Sequence, residues 1–323
     1  MANKERISGE SKANIRVGPA GWSHNDWGGA VYPTNRPHGF HEAAYLAQYF
    51  STVEIDASFD RPLRPEVSRV WVQKLACFKN FEFTSKLYRG FTHVQNLDAA
   101  ELRRFSQGLG PLIDNGLLGC VLAQFPASFR LSAENLAYVA RLARALPQYP
   151  LVAEFANGSW NNSRALAVLA DLGVGFCNID QPQQGQSMPP TEHVTSPIGY
   201  VRLDGRNYQP GARADHFYSA EQLSRWLPRI EKVAQFSWKT YVVANNYVAG
   251  QSVANALQIE SMISRERVSV PPVLLDRYPQ LQQIALNQPT QRSSFFDAVK
   301  ETRDAWGAWT PQRPLAAAAS ARV

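Results

Sequence analysis

The sequence predicts a single (β/α)8 barrel: eight parallel strands closed on themselves and wrapped in helices. Three observations carry that prediction. Short apolar runs alternate with helical patterns almost from end to end. Eight such runs fall within about 250 residues, the length of one barrel. Polar residues inside the runs recur with the two-residue period of a strand.

The expected strands are Ile15–Gly18, Thr52–Asp56, Phe81–Lys86, Gly119–Gln124, Leu151–Phe155, Val174–Asp180, Gly199–Asp204 and Thr240–Asn245. Helices are read from apolar spacing, as in Leu136, Val139, Leu142 and Leu146, or Leu223, Trp226, Leu227, Ile230 and Val233. Ser219 with Gln222 makes a capping-box start, and Gly173 closes the helix beginning near Ser163. Gln181–Pro197, with four prolines, replaces the helix after the sixth strand and is expected as a loop over the mouth. A doubly wound open sheet is the alternative fold, but the first strand–helix turn lacks its G-x-G-x-x-G phosphate loop. Residues 1–14 read as a polar extension, 15–310 as the barrel and 311–323 as a flexible tail rich in Ala, Pro and Arg.

Composition bounds the rest. Hydrophobic residues make up 45% and charged residues 19% of 323, enough apolar material for a globular core. The net charge of +6 comes from scattered Lys and Arg without a run of five or six, so a nucleic-acid partner is only weakly supported. Cys77, Cys120 and Cys177 form an odd set without C-x-x-C spacing, which fits a reducing cytoplasm. No apolar run approaches the ~18 residues needed to cross a bilayer, and the start resembles no secretory signal.

Strand faces alternate, and the polar faces are the functional signal. Val53 and Ile55 oppose Glu54 and Asp56; Phe81 and Phe83 oppose Glu82, Thr84 and Lys86. Cys177 and Ile179 oppose Asn178 and Asp180; Val201 and Leu203 oppose Arg202 and Asp204. The fourth, fifth and eighth strands end in Gln124, Glu154 and Asn245. In a barrel the apolar face packs outward and the polar face gathers at the C-terminal mouth, where barrel enzymes keep their chemistry. Glu54, Lys86, Gln124, Glu154, Asp180 and Arg202 are therefore expected to ring one end.

The residue types suggest chemistry. Glu54, Glu154, Asp180 and Asp204 could supply general acids or bases, or oxygen ligands for a hard cation such as Mg²⁺. Lys86, Arg202 and Arg206 suit a phosphate or carboxylate, with Arg202 pre-aimed by its strand. Gln124, Asn245 and Asn246 offer neutral hydrogen bonds of the kind used on sugars or bases. Of six histidines, His93 is best placed to reach the mouth. Trp22, Trp27 and Trp160 lie just past strand ends, where they could stack on a sugar or base or close over a core. With no H-E-x-x-H and no Cys/His cluster, no tightly bound zinc is expected, and no G-x-S-x-G elbow offers a serine nucleophile.

The motifs then become recognisable as a set. Gly18-Pro19-Ala20-Gly21-Trp22, Trp27 and Val31-Tyr32-Pro33 resemble the opening signature of the YecE-like family, also called domain-of-unknown-function family seventy-two. The resemblance continues through Val53–Phe59, Phe83–Lys86, Thr92-His93, Gln124–Pro126, Glu154-Phe155, Ser159-Trp160, Asp180–Pro182, Tyr200–Leu203, Gly205-Arg206 and Asn245-Asn246, and closes at Asn255–Leu257. It implies a TIM barrel and supplies no established reaction. This chain departs from the family pattern at four places: Ala156-Asn157 stand where Arg-His is usual, Asp204 replaces a His, Asp56 an Asn, and Asp60 a Tyr.

Two classes of function remain open. One is a hydrolase or isomerase acting on a phosphoester or phosphorylated sugar. The other is a diverged barrel that binds a nucleotide, nucleic-acid end or sugar without turnover.

Overall fold

The computed structural model describes residues 14–207 and 215–286. Its eight strands are β1 (Ile15–Pro19), β2 (Thr52–Ile55), β3 (Glu82–Lys86), β4 (Leu118–Phe125), β5 (Leu151–Phe155), β6 (Gly175–Asp180), β7 (Ile198–Leu203) and β8 (Lys239–Ala244). All pair in parallel, in the order β1-β8-β7-β6-β5-β4-β3-β2. The expected (β/α)8 barrel is what the chain forms. The barrel's elements end at Gln283, so the expected boundary at 310 and the tail 311–323 lie outside the described residues.

The outer layer follows from amphipathic spacing. The helix Ala133–Ala145 buries Tyr138, Val139 and Leu142 against the strands, and Leu227–Phe236 buries Ile230, Val233 and Ala234. Ser219 makes the capping box with Gln222, and the helix from Ser163 ends just before Gly173. The side chains of Ser132, Asn162 and Ser219 cap the first turns of their helices.

The segment 181–197 is a loop at the mouth end only in its first half, where Ser187 bridges Asn157 and the Met188 N–H donates to the Ala156 carbonyl after β5. β6 and β7 are parallel, so the chain must return the full length of the barrel between them. It does so as a strap on the outer wall, with Thr191 and Thr195 buried. At the descending end the Thr195 hydroxyl donates to the Val174 carbonyl at 2.6 Å, just before β6 begins. Polar atoms of the strap take the place of a helix's apolar face, which explains the outward Asn178: its amide donates to the His193 and Tyr200 carbonyls.

Closure depends on the β1–β2 seam. There the strands are joined by one bridge, Ala20 to Glu54, with the Gly21 N–H donating to the Glu54 carbonyl at 2.9 Å. Pro19 supplies no N–H at this edge. Gly18 lets the strands approach: a Cβ there would lie 1.8 Å from the Thr52 carbonyl oxygen. Gly18→Ala should therefore force the seam apart and cost about 2 kcal/mol or more. Urea unfolding checks this, and an unchanged midpoint would contradict the closure argument.

Candidate functional site

The inward strand positions build a charged column rather than an apolar core. Arg202 of β7 is its hub, with a side chain that is 0% exposed. Its Nε and Nη2 reach Glu54 of β2 at 3.2 and 3.0 Å. Nη1 reaches Asp204 at 2.5 Å and Glu154 of β5 at 3.5 Å. The fork geometry of a guanidinium allows one cation to face three carboxylates from different strands.

The carboxylates are held in turn. Tyr200 donates its hydroxyl to Glu54 Oε2 at 2.7 Å and pairs with Thr84 Oγ1 at 3.0 Å. Gln124 donates to Glu154 Oε1 at 2.7 Å, and Asn245 donates to Asp204 at 3.1 Å. Lys86 of β3 lies 2.8 Å from Asp56 and 4.0 Å from Glu54. Burial favours an uncharged Asp56, but the Lys86 and Arg202 charges outweigh it and hold the carboxyl below its usual range. Burial and the Arg202 charge would lower the Lys86 ammonium, but Asp56 and Glu54 together outweigh them and raise it.

Glu154 differs from its neighbours. Burial pushes its carboxyl up, Arg202 pulls it back and Asp204 pushes it up again, leaving it at about 7. Next to it, the Cys177 thiol lies 3.9 Å from Oε2 and is pushed well up by burial and by the Glu154 charge, so it stays a protonated neighbour.

Five of the six residues expected to ring the mouth do so; Asp180 does not. Its strand carries the opposite phase from the one expected, with Cys177 facing Glu154 and Asn178 facing the outer strap. Asp180 therefore points outward, where it accepts from Trp226 Nε1 at 3.1 Å and from Arg206 Nε at 3.1 and 3.2 Å. Apolar Cys177 and Ile179 inside and polar residues outside invert the expected pattern because the outward groups find polar partners: the His193 carbonyl of the strap for Asn178, and Trp226 and Arg206 for Asp180.

Other expected site residues are also placed differently. Asn246 is fully buried behind the wall and donates to the His216 carbonyl and to Asn255. Trp160 is 0% exposed and stacked on Phe155 at 3.9 Å, with its indole N–H on the Phe129 carbonyl. Trp22 packs edge-on to Trp71 at 5.0 Å. Both indoles are thus core, not stacking platforms. His93 meets the edge of Phe59, whose other contact is the Lys86 ammonium, so one ring separates it from the cluster. Burial first, and the Arg89 charge second, lower its pKa. Arg202 itself is spent on carboxylates and is not presented to a ligand, whereas the Arg206 side chain is 37% exposed.

Sequence reasoning placed Asp56 on the polar face of its strand but gave it no role, and it passed over Tyr200 and His24 as site residues. Asp56 and Tyr200 share the inward phase of their strands and were legible as such. His24 sits in the loop after β1, where periodicity carries no signal. For a hard cation, the oxygens of Glu54, Glu154 and Asp204 are turned onto Arg202, and among the described residues no group of three or more His, Cys, Asp or Glu is arranged around a metal position.

Removing the hub leaves buried carboxylates without a counter-charge. Arg202→Ala should destabilise the fold by about 3–5 kcal/mol. Arg202→Lys should recover only part, since a point charge cannot face three carboxylates. Denaturant midpoints of the two variants check this, and a stable Arg202→Ala protein would show that the network is dispensable.

Comparison with known proteins agrees with this architecture. The model of the family described as "Protein of unknown function DUF72" matches residues 16–281. The chain is 27% identical over 291 residues to the UPF0759 protein YunF of Bacillus subtilis (strain 168), covering 82% of this chain and all of that one. It is similar to the crystal structure of a DUF72 family protein from Thermotoga maritima, at 28% identity and a TM-score of 0.67, covering 77% of this chain and 99% of that one. A DUF72 family protein from Enterococcus faecalis superposes with a TM-score of 0.68 at 22% identity, covering 80% and 98%. Fold, motif order and family model coincide over the barrel, and the chain belongs to the DUF72 family.

Proposed function

We propose that the C-terminal mouth is an acid–base site for a phosphorylated sugar, with Glu154 moving the proton and Arg206 holding the phosphoryl group. The observation that carries this reading is the Glu154 carboxyl at about 7, among groups otherwise fixed in ion pairs. Near neutral pH such a group both holds and releases a proton, as a general acid or base must. Asp204, one of this chain's departures from the family pattern, contributes to that shift.

The anion is assigned to Arg206 because Arg202 is saturated. Arg206 bonds Asp180 through Nε and is the most exposed of the expected mouth cations, beside Lys86 at 12%. It follows β7, a position where barrels frequently bind phosphate. Asp56, Asp204, Gln124 and Asn245 supply the carboxylates and amides that suit hydroxyl groups.

A second reading, binding of a sugar or nucleotide without turnover, is favoured by a specific observation. The Glu154 side chain is only 3% exposed, and Ala156 and Asn157 occupy the usual Arg-His positions. Asn157 is used locally, accepting from the Ser159 N–H at 3.0 Å and donating to the Ala127 carbonyl.

Two experiments test the primary reading. Arg206→Gln should weaken binding of a sugar phosphate by about tenfold or more, the loss of one charge-assisted contact; calorimetry giving equal affinities would remove the phosphate assignment. Glu154→Gln should abolish turnover and leave binding. If a sugar phosphate binds wild type and none is turned over, the second reading stands.

The raised carboxyl has a signature independent of substrate. Because the folded pKa of about 7 exceeds the ordinary value of 4.5, the folded protein keeps a proton that the unfolded chain releases. The penalty is absent below the unfolded pKa, grows through the interval and is complete above 7, at about 3 kcal/mol. Glu154→Gln should flatten this fall in stability between about pH 5 and about pH 8. Melting curves across that range check it, and parallel pH profiles for wild type and variant would contradict the shift.

A further inference from the structure

A cleft of about 360 Å³ opens between the loop after β1 and the loop after β8, lined by Ser23, His24, Asn25, Asp26 and Tyr247. Its walls are built rather than accidental. The His24 imidazole lies stacked on the Tyr247 ring, centroids 4.7 Å apart and nearly parallel, with Trp27 on its other side at 4.6 Å. Trp27 Nε1 donates to the Tyr247 carbonyl at 2.7 Å, and Asp26 Oδ2 accepts from the Ala249 N–H at 2.7 Å. Two cross-loop hydrogen bonds therefore fix the wall.

Backbone strain marks the same place. Ala249 has φ +53°, the left-handed region that a Cβ disfavours. It is held there by Asp26 on its N–H and by the Tyr278 hydroxyl on its carbonyl at 3.0 Å. Strain persists where the surroundings over-determine it, and it concentrates at ligand sites.

The cleft also adjoins the charged mouth. Gly21 has φ +69°, and a Cβ there would lie 2.6 Å from His24 Nε2 and 2.9 Å from Asp56 Oδ2. The missing side chain lets the cleft's imidazole and the carboxylate paired with Lys86 both close on the Gly21 backbone, so cleft and mouth meet at this residue. Asn245 and Asp204 stand at the ends of β8 and β7, joined by a hydrogen bond of 3.1 Å, and Arg206 follows in the loop after β7.

The lining selects a ligand class. It includes no Lys or Arg, and it carries Asp26 with Asp56 behind, so it does not draw a phosphate. Hydroxyl, amide and carboxylate groups beside an aromatic wall match a polyhydroxylated ring, which has hydroxyls around its rim and C–H groups on its face. We propose that this cleft is a neutral-sugar subsite, receiving the unphosphorylated ring of the ligand. It rests on the sugar-phosphate reading of the mouth. The ring lies between the β1 and β8 loops, and the phosphoryl group points past Asp204 toward Arg206.

The test titrates the full chain with a panel of neutral monosaccharides and, separately, with inorganic phosphate. A neutral sugar should bind wild type and show magnetisation transfer between its C–H protons and the Tyr247 ring. Tyr247→Ala should weaken the sugar by about tenfold and leave phosphate unchanged; Arg206→Gln should do the reverse. Absence of any neutral-sugar binding, or undiminished binding by folded Tyr247→Ala, overturns the subsite. Should that variant fail to fold, the transfer to Tyr247 in wild type decides alone, and its absence is equally fatal. Phosphate binding abolished by Arg206→Gln, with no sugar at Tyr247, sinks the subsite and leaves the phosphate assignment standing. Sugar seated at Tyr247, with phosphate indifferent to Arg206→Gln, does the opposite.

Discussion

A guanidinium taken out of water inside a barrel sets the terms for everything near it. Arg202 loses its hydration completely, so its donors must be met by protein, and the partners available at a strand-end layer are carboxylates from β2, β5 and β7. Those carboxylates are more numerous than the cation can neutralise. Lys86 takes up the surplus at Asp56, and Glu154 takes up a proton instead. A titratable group near neutrality is thus a by-product of satisfying a buried cation, and the chemistry available at the mouth follows from the same shortage of positive charge.

Two of the positions that create this surplus lie just past strand ends. Asp204 sits directly on Arg202, and Asp56 pairs with Lys86. Substitution at these positions changes the charge of the mouth without disturbing the strands, because both side chains extend beyond the last paired residues of β7 and β2.

The barrel was legible because its signal is periodic: every expected strand forms, and most boundaries fall within a residue of the structure. The inward set was legible for the same reason, down to Glu54, Lys86, Gln124, Glu154 and Arg202. Periodicity fails where its assumption fails. The outer face of β6 meets polar partners, the His193 carbonyl of the strap and the Trp226 indole N–H, so Asn178 and Asp180 could face outward and still be satisfied. Trp160 lay past a strand end, as a lid would, yet the aromatic stack with Phe155 and Phe129 draws it into the core. His24 and Tyr247 become neighbours only because β1 and β8 pair, a relation spanning more than two hundred residues of chain that no local pattern encodes.

The β1–β2 seam has a consequence for how the barrel opens. It is joined by a single bridge, whereas the other strand pairs are joined over several residues or have at least two registered positions. Local opening of a closed sheet begins along its least-bonded line. The cleft lined by Ser23, His24 and Tyr247 stands at the C-terminal end of β1, one of the two strands forming that line, but it spans the loops after β1 and β8, whose strands pair over five positions. Occupancy of the cleft and opening of the seam are therefore separate events: the Gly21–Glu54 hydrogen bond, and not a molecule in the cleft, is the clasp that sets how readily the cylinder unzips.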